Sequence, residues 1–147
     1  MGALTRVLGG PAVRVPRLGW VTPNLCHDGH SCPPGVAARW LDGFVAQVTA
    51  STAWRDGGVL FVVWDEGSGS DTRGVGPDGQ VTATGGGGHV LALVIAPDLR
   101  PGERVSLPYN HYSMLKTIEA SLGLPLLGKA GAGGTRDLGA FWGGAGR

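Results

Sequence analysis

The stretch GGVLFVVWDEG, residues 57–67, decides the fold that this chain is predicted to adopt. Its centre, residues 60–63, is a continuous apolar run rich in β-branched and aromatic side chains. Such a run is too short for a helix and is typical of a strand buried on both faces, as in a parallel sheet flanked by helices. Asp65 and Glu66 follow directly. Because ligands of open α/β sheets collect at the carboxyl ends of strands, we expect chemistry at these two carboxylates.

Two neighbouring segments extend this strand into an α/β layer structure. Apolar residues recur with helical spacing over residues 36–48, which predicts a helix just before the strand. A second continuous apolar run at residues 90–95 predicts a neighbouring buried strand. The order of helix, strand and strand favours an α/β fold with a mostly parallel sheet.

A second helix is predicted over residues 112–122, where Gly123 would stop it. Asn110 or Ser113 is the expected cap of its first turn, and His111 then lies at or just before the positive end of the helix. The expected inner face of this helix consists of Met114, Leu115, Ile118 and Leu122.

The remaining segments are predicted to be mostly irregular. Residues 1–17 form an irregular lead-in, residues 18–22 a short strand, and residues 67–88 a long polar loop. The Gly- and Ala-rich residues 131–147 form a tail, which leaves residues 18–130 as the expected domain portion.

Composition excludes several classes of protein. The chain has 12 basic and 11 acidic residues, so it carries no electrostatic footprint for nucleic acid or an anionic membrane. No apolar run approaches the roughly 18–20 residues of a transmembrane segment. The first residues, with arginines spaced through them, also lack the compact hydrophobic centre of a signal peptide.

The two cysteines, Cys26 and Cys32, leave three possibilities open. They are either free thiols, as is usual in a cytosolic protein, or partners in a short-loop disulfide formed in an oxidising compartment. With His27 and His30 between them, the third possibility is a small zinc-binding domain, although the ligands are crowded and the usual separated pairs are missing.

Polar side chains able to do chemistry fall in three clusters at loop ends. The first contains Asn24, His27, Asp28 and His30, the second Asp65 and Glu66, and the third His89 and His111. Together they offer a ligand set for a divalent metal such as Zn, Mn or Ca, which would polarise a phosphoryl oxygen. The chain contains neither a Gly-x-Ser-x-Gly elbow nor a GxxxxGK[ST] phosphate loop.

Four segments, in this order, resemble the C-terminal half of the bacterial phosphoesterase family. They are VTPNLCHDGHSC, VLFVVWDEG, GGGGHVLALVIAP and YNHYSMLKTIEASLGLPLLG. The family includes phospholipases C and acid phosphatases of the alkaline phosphatase superfamily, and its actinobacterial members look most similar. The resemblance covers residues 20–130 and implies part of an alkaline-phosphatase-like three-layer fold, with a mostly parallel sheet and flanking helices.

The resemblance also implies a role for seven residues and a phosphate ester substrate. It implies catalytic roles for His30, His111 and Asp28, substrate binding by Asn24 and His89, and metal binding by Asp65 and Glu66.

One part of the family pattern has no counterpart in this sequence. Family members carry an upstream Glu-Asn metal-binding pair and a Ser or Thr nucleophile, and they are commonly exported. We therefore expect a truncated chain with little activity alone, completed by an N-terminal partner chain. The alternative expectation is a non-catalytic remnant or binding module of the same fold.

Overall fold

The structure is a computed structural model that describes residues 2–11, 15–76 and 78–142. The chain folds as two units, residues 1–59 and residues 60–147. No helix in the described part of the chain is long and apolar enough to cross a membrane.

The first unit is helical. It contains α1 (Gly2–Leu8), α2 (Pro34–Thr49) and the short α3 (Thr52–Arg55). The predicted helix over residues 36–48 is confirmed by α2, which begins at a proline whose missing N–H is not needed in the first turn. Phe44 is buried on α2, and the Thr5 hydroxyl of α1 donates to Gln47 Oε1 at 3.3 Å.

Two predictions for the start of the chain are wrong. Within the predicted irregular lead-in, α1 is a helix, and Gly9, Gly10 and Pro11 follow it and end it. Residue 1 and residues 12–14 of the lead-in lie outside the described residues. Residues 18–22 do not form the predicted strand, since no other described segment pairs with them.

The second unit contains four strands. Strands β1 (Leu60–Val63) and β4 (Ala92–Ile95) pair antiparallel, with Leu60 opposite Ile95. Between them, β2 (Gly74–Val75) and β3 (Val81–Thr82) form a second antiparallel pair.

The chain is thus a mixed α/β structure, but the predicted parallel sheet is wrong. A parallel pair needs a crossover connection, usually a helix. The described residues between β1 and β4 contain no helix, so the chain returns beside β1 as a hairpin. Burial of the strands on both faces is also wrong, because every position of β1 is only half-buried and Leu93 of β4 is 38% exposed.

Helix α4 (His111–Leu122) confirms the second predicted helix and its cap. The Asn110 side chain accepts from the Ser113 N–H, and the Ser113 side chain accepts from the Asn110 N–H. The buried residues of α4 are Ser113 and Glu119, rather than the four apolar residues predicted for its inner face. Those four are half-buried.

The segment after α4 is more regular than the predicted Gly- and Ala-rich tail. It contains two 3₁₀ turns, Gly128–Gly131 and Gly139–Trp142. Ala130 and Leu138 are buried there, while residues 143–147 of the predicted tail lie outside the described residues.

Candidate functional site

Asp65 and Glu66 lie where they were predicted, directly after β1. Both residues are exposed, and Asp65 Oδ1 accepts a hydrogen bond from the Glu66 N–H at 3.0 Å. This bond occupies one lone pair of Asp65 and leaves the remaining carboxylate oxygens facing solvent. The pair therefore presents negative charge and oxygen ligands at the end of the strand.

His111 is brought to the same end of β1. It is the first residue of α4, and its Nε2 lies 2.9 Å from the carbonyl oxygen of Trp64. A carbonyl oxygen only accepts, so Nε2 carries the hydrogen of this bond. Nδ1 takes no part in this bond.

His89 approaches the same region through its backbone. The Gly67 N–H donates to the Gly87 carbonyl at 2.6 Å, which places the end of the long loop beside the residue that follows Glu66. The His89 N–H donates to Asp71 Oδ2 at 3.0 Å, while the His89 residue is exposed. In the second unit, the predicted residues Asp65, Glu66, His89 and His111 thus gather around one end of β1.

Asp71 and Arg73 organise the loop between these residues, and the sequence reasoning missed both. Arg73 Nε donates to Asp71 Oδ1 at 2.9 Å and Arg73 Nη2 to Asp71 Oδ2 at 2.6 Å, a bidentate ion pair. The side-chain hydrogen bonds from Arg73 have the largest effect on the pKa of Asp71, and the hydrogen bond from the His89 N–H has the next largest. Together they hold this pKa well below its usual range. The same contact raises the pKa of Arg73. The Asp-x-Arg spacing within a polar loop is the sequence signal that could have indicated this ion pair.

The predicted loop at residues 67–88 is largely a folded hairpin rather than a free segment. The Gly86 N–H donates to the Thr72 carbonyl and the Gly88 N–H to the Arg73 carbonyl, each at 3.0 Å. A Cβ at Gly86 would overlap the Arg73 carbonyl oxygen and the Gly74 Cα. The glycine run before His89 is thus explained by close backbone approach.

In the first unit, Asn24 and Asp28 shape the loop that carries His30. Asn24 Oδ1 accepts from the Cys26 and His27 N–H groups at 3.1 and 3.0 Å, and Asp28 Oδ1 accepts from the His30 N–H at 2.8 Å. These are Asx turns, a local structural use of polar side chains. The His30 residue is exposed, and its Nδ1 lies 3.0 Å from the Ser31 hydroxyl.

A disulfide joins Cys26 to Cys32 across this loop. Neither residue is therefore a thiolate, so the zinc-domain alternative is wrong. His27 stacks on Trp40, with ring centroids 5.6 Å apart, and Trp40 stacks on Phe44 at 5.2 Å. Asn24 and these rings line an open cavity of about 330 Å³.

The metal-ligand set predicted from the three clusters is only partly assembled. Across residues 2–11, 15–76 and 78–142, no group of three or more His, Cys, Asp and Glu side chains is placed to hold a metal ion. Asp65 and Glu66 have the right chemistry for a hard cation, but such ions take six or more oxygen ligands. Two carboxylates alone would therefore complete only part of such a coordination shell.

Comparison with known proteins gives one family and several curated relatives. The model of the phosphoesterase family matches residues 11–125. A probable acid phosphatase of Kluyveromyces lactis is 27% identical over 116 residues, which cover 79% of this chain and 25% of the relative. An acid phosphatase of Aspergillus fumigatus is 24% identical over 116 residues, covering 79% of this chain and 24% of the relative.

A phosphate-repressible acid phosphatase of Penicillium chrysogenum is 27% identical over 115 residues, which cover 78% of this chain and 25% of the relative. The chain thus spans about a quarter of the length of these curated relatives. No solved structure matches it.

Proposed function

Because the chain belongs to the phosphoesterase family, we propose that it forms part of a phosphate ester hydrolase of the acid phosphatase or phospholipase C type. The observation that carries this proposal is the grouping at the end of β1. There the Asp65–Glu66 pair follows the strand, and His111 is hydrogen-bonded to the residue just before the pair. All three residues lie within the span matched by the family model.

We assign Asp65 and Glu66 to a divalent metal ion, Zn, Mn or Ca. Their exposed carboxylate oxygens suit such an ion, which when bound would polarise a phosphoryl oxygen. The two side chains are a partial ligand set, so the remaining ligands come from elsewhere. A complementing N-terminal chain, which would also extend the small sheet toward a three-layer fold, is the proposed source.

The histidines handle the proton and the phosphate. His111 donates through Nε2 to Trp64, so Nδ1 is the ring nitrogen that we propose faces the leaving oxygen. In the first unit, His30 and Asp28 are proposed as catalytic residues and Asn24 as a substrate-binding residue, and in the second unit His89 is proposed to bind substrate. Asx turns and backbone hydrogen bonds hold the main chain at these residues, and the exposed His30 and His89 residues are accessible to an anionic ester.

The proposal is tested first by metal binding, which does not require turnover. Calorimetric titration of Mn²⁺, Zn²⁺ and Ca²⁺ into the chain should detect an ion whose binding is lost in Asp65→Asn and Glu66→Gln. The matched control is Asp98→Asn, an exposed carboxylate in the loop after β4. Metal binding that is unchanged in the Asp65 and Glu66 variants would remove the metal assignment.

Activity is then measured with chromogenic phosphate monoesters and diesters, with the chain alone and with an N-terminal chain added. Metal-dependent hydrolysis that falls in Asp65→Asn supports the enzyme. Strong turnover that survives Asp65→Asn overturns the assignment. Metal binding without hydrolysis in either condition favours the alternative, a non-catalytic binding module.

A further inference from the structure

A second polar cavity lies in the unit of residues 60–147, and its lining includes none of the candidate hydrolase residues. It has a volume of about 280 Å³, and its polar walls are Tyr109, Lys116, Thr135, Arg136 and Asp137. We propose that this cavity binds a small tetrahedral oxyanion, with inorganic phosphate as the probe ligand. The inference stands independently of the proposed hydrolase activity.

Two cations in the cavity wall are held in place by backbone carbonyls. Lys116 Nζ donates to the Thr135 carbonyl at 2.7 Å, and Arg136 Nη1 donates to the Gly79 carbonyl at 2.8 Å. Lysine has three N–H donors and arginine five, so each cation retains donors for a ligand. Little conformational entropy remains to be lost on binding, because both side chains are already anchored.

Among the described residues, neither of these cations forms an ion pair with a carboxylate. In the part of the chain that the structure describes, the ion pair is between Arg73 and Asp71, and neither Lys116 nor Arg136 takes part in one. Both residues are half-buried, so solvent screens their field less than at a fully exposed site. Unpaired, partly buried cations beside a cavity favour an anionic ligand.

Tyr109 and Asp137, two of the remaining polar wall residues, are expected to set the selectivity of the cavity. Burial is the main cause that raises the pKa of Tyr109, and the negative charge of Asp137 is the second. The phenol therefore remains a hydrogen-bond donor at neutral pH. Asp137 is exposed, and its Oδ1 accepts from the Gly139 N–H at 2.8 Å. With two cations against one carboxylate, the cavity has a formal charge of +1, and Asp137 opposes the anion that the cations attract.

The segment that forms this wall is fixed to α4 at two points. Besides the Lys116 contact, the Thr117 hydroxyl accepts from the Leu138 N–H at 2.8 Å. Thr135, itself buried, donates from its hydroxyl to the Lys129 carbonyl at 2.7 Å. The cationic wall is therefore part of the folded unit rather than a pair of surface side chains.

The test is a titration of inorganic phosphate into the chain in the absence of divalent metal. Binding is monitored by calorimetry and by the NMR chemical shifts of the Gly79 and Thr135 amides. We expect saturable binding that weakens roughly tenfold in Lys116→Gln and in Arg136→Gln, about the effect of one charge-assisted hydrogen bond. Asp137→Asn should tighten binding several-fold. Arg104→Gln, which removes a charge from an exposed loop residue, is the control and should change nothing.

Three outcomes would overturn the inference: no saturable binding, binding unchanged in Lys116→Gln and Arg136→Gln, or binding lost in Asp65→Asn instead. The last result would place phosphate at the candidate hydrolase site, whereas the first two leave the hydrolase proposal untouched. If the Lys116 variant fails to fold, Asp137→Asn still tests the proposal. This variant changes an exposed residue, and phosphate binding that is unchanged or weaker in it would contradict the proposal.

Discussion

His111 Nε2 lies 2.9 Å from the carbonyl oxygen of Trp64, and this hydrogen bond joins the first turn of α4 to the residue before Asp65. One side chain thus connects the helix cap to the acidic end of β1. The capping box of Asn110 and Ser113 fixes the backbone from which the His111 ring projects. The relative position of histidine and carboxylates therefore depends on local hydrogen bonds within one unit.

His111→Phe should lower the free energy of unfolding by about 0.5–1 kcal/mol, the net value of one hydrogen bond near solvent. Phenylalanine keeps a ring but has no N–H to donate to Trp64. Urea unfolding at neutral pH measures the change. His89→Phe is the matched control, since the His89 bond to Asp71 uses the backbone N–H. Equal effects of the two substitutions would contradict the assigned role of the His111 ring.

Asp71→Asn should remove a pH-dependent part of the stability of the loop. The pKa of Asp71 is lowered in the folded chain, first by the Arg73 side chain. The stabilisation is therefore present above the unfolded pKa, about 3.9, and is lost as the pH falls toward the folded value. The difference in unfolding free energy between the wild type and Asp71→Asn should shrink on acidification.

Asp98→Asn serves as the control for this titration, because Asp98 is an exposed loop carboxylate. High salt should reduce the Asp71 effect, since the Arg73 side chain in this pair is 57% exposed. A difference between wild type and Asp71→Asn that stays constant from neutral pH to about pH 3 would contradict the proposed coupling.

Helices α2 and α4 were predictable because their signals are local. Apolar spacing, Pro34 in the first turn and the cap at Asn110 are all contained within the segments that they determine. Strand β1 was predictable for the same reason. Its pairing direction was not, since direction depends on the whole connection to β4 rather than on residues 60–63.

For the candidate site too, the residues with local sequence signals were predictable and those that depend on distant contacts were not. Asp65 and Glu66 were found from their place after a strand, and His111 from its place before a helix. Asp71 was missed because its structural role depends on its contacts with Arg73 and with the His89 backbone N–H, which lies 18 residues away in the sequence. The burial of Glu119 was missed because a helical pattern assigns charged residues to the solvent face.

Loss of the disulfide through Cys26→Ser with Cys32→Ser should destabilise the first unit by about 2 kcal/mol, from the chain-entropy estimate for so short a loop. The bond closes a sequence separation of six residues around Asp28 and His30. Unfolding with and without a reductant measures the effect. The reductant should lower the stability of the wild type but not that of the double variant. An equal loss of stability in both would show that this disulfide is not the source of the stabilisation.

Glu119→Ala should destabilise the second unit by about 1–3 kcal/mol, because it removes the hydrogen bonds that the buried Glu119 side chain accepts. Glu119 is 3% exposed, and the Leu127 N–H lies 3.3 Å from both of its carboxylate oxygens. Glu119→Gln keeps an acceptor oxygen and should cost less. Thermal unfolding distinguishes the variants, with the exposed Glu103→Ala as control, expected within about 0.5 kcal/mol of wild type.

Gly79→Ala and Gly102→Ala separate backbone strain from crowding. The two glycines have nearly equal φ angles, +76° and +77°, so alanine should cost each about 1–2 kcal/mol of backbone strain. At Gly79, a Cβ would also lie 2.6 Å from the Gly134 carbonyl oxygen and 2.8 Å from Arg136 Nη1, whereas Gly102 has open space. Gly79→Ala should therefore be the more destabilising in urea unfolding and should also weaken phosphate binding by displacing Arg136. Equal losses of stability at the two sites, with phosphate affinity unchanged, would mean that the Gly79 contact does not position the Arg136 guanidinium.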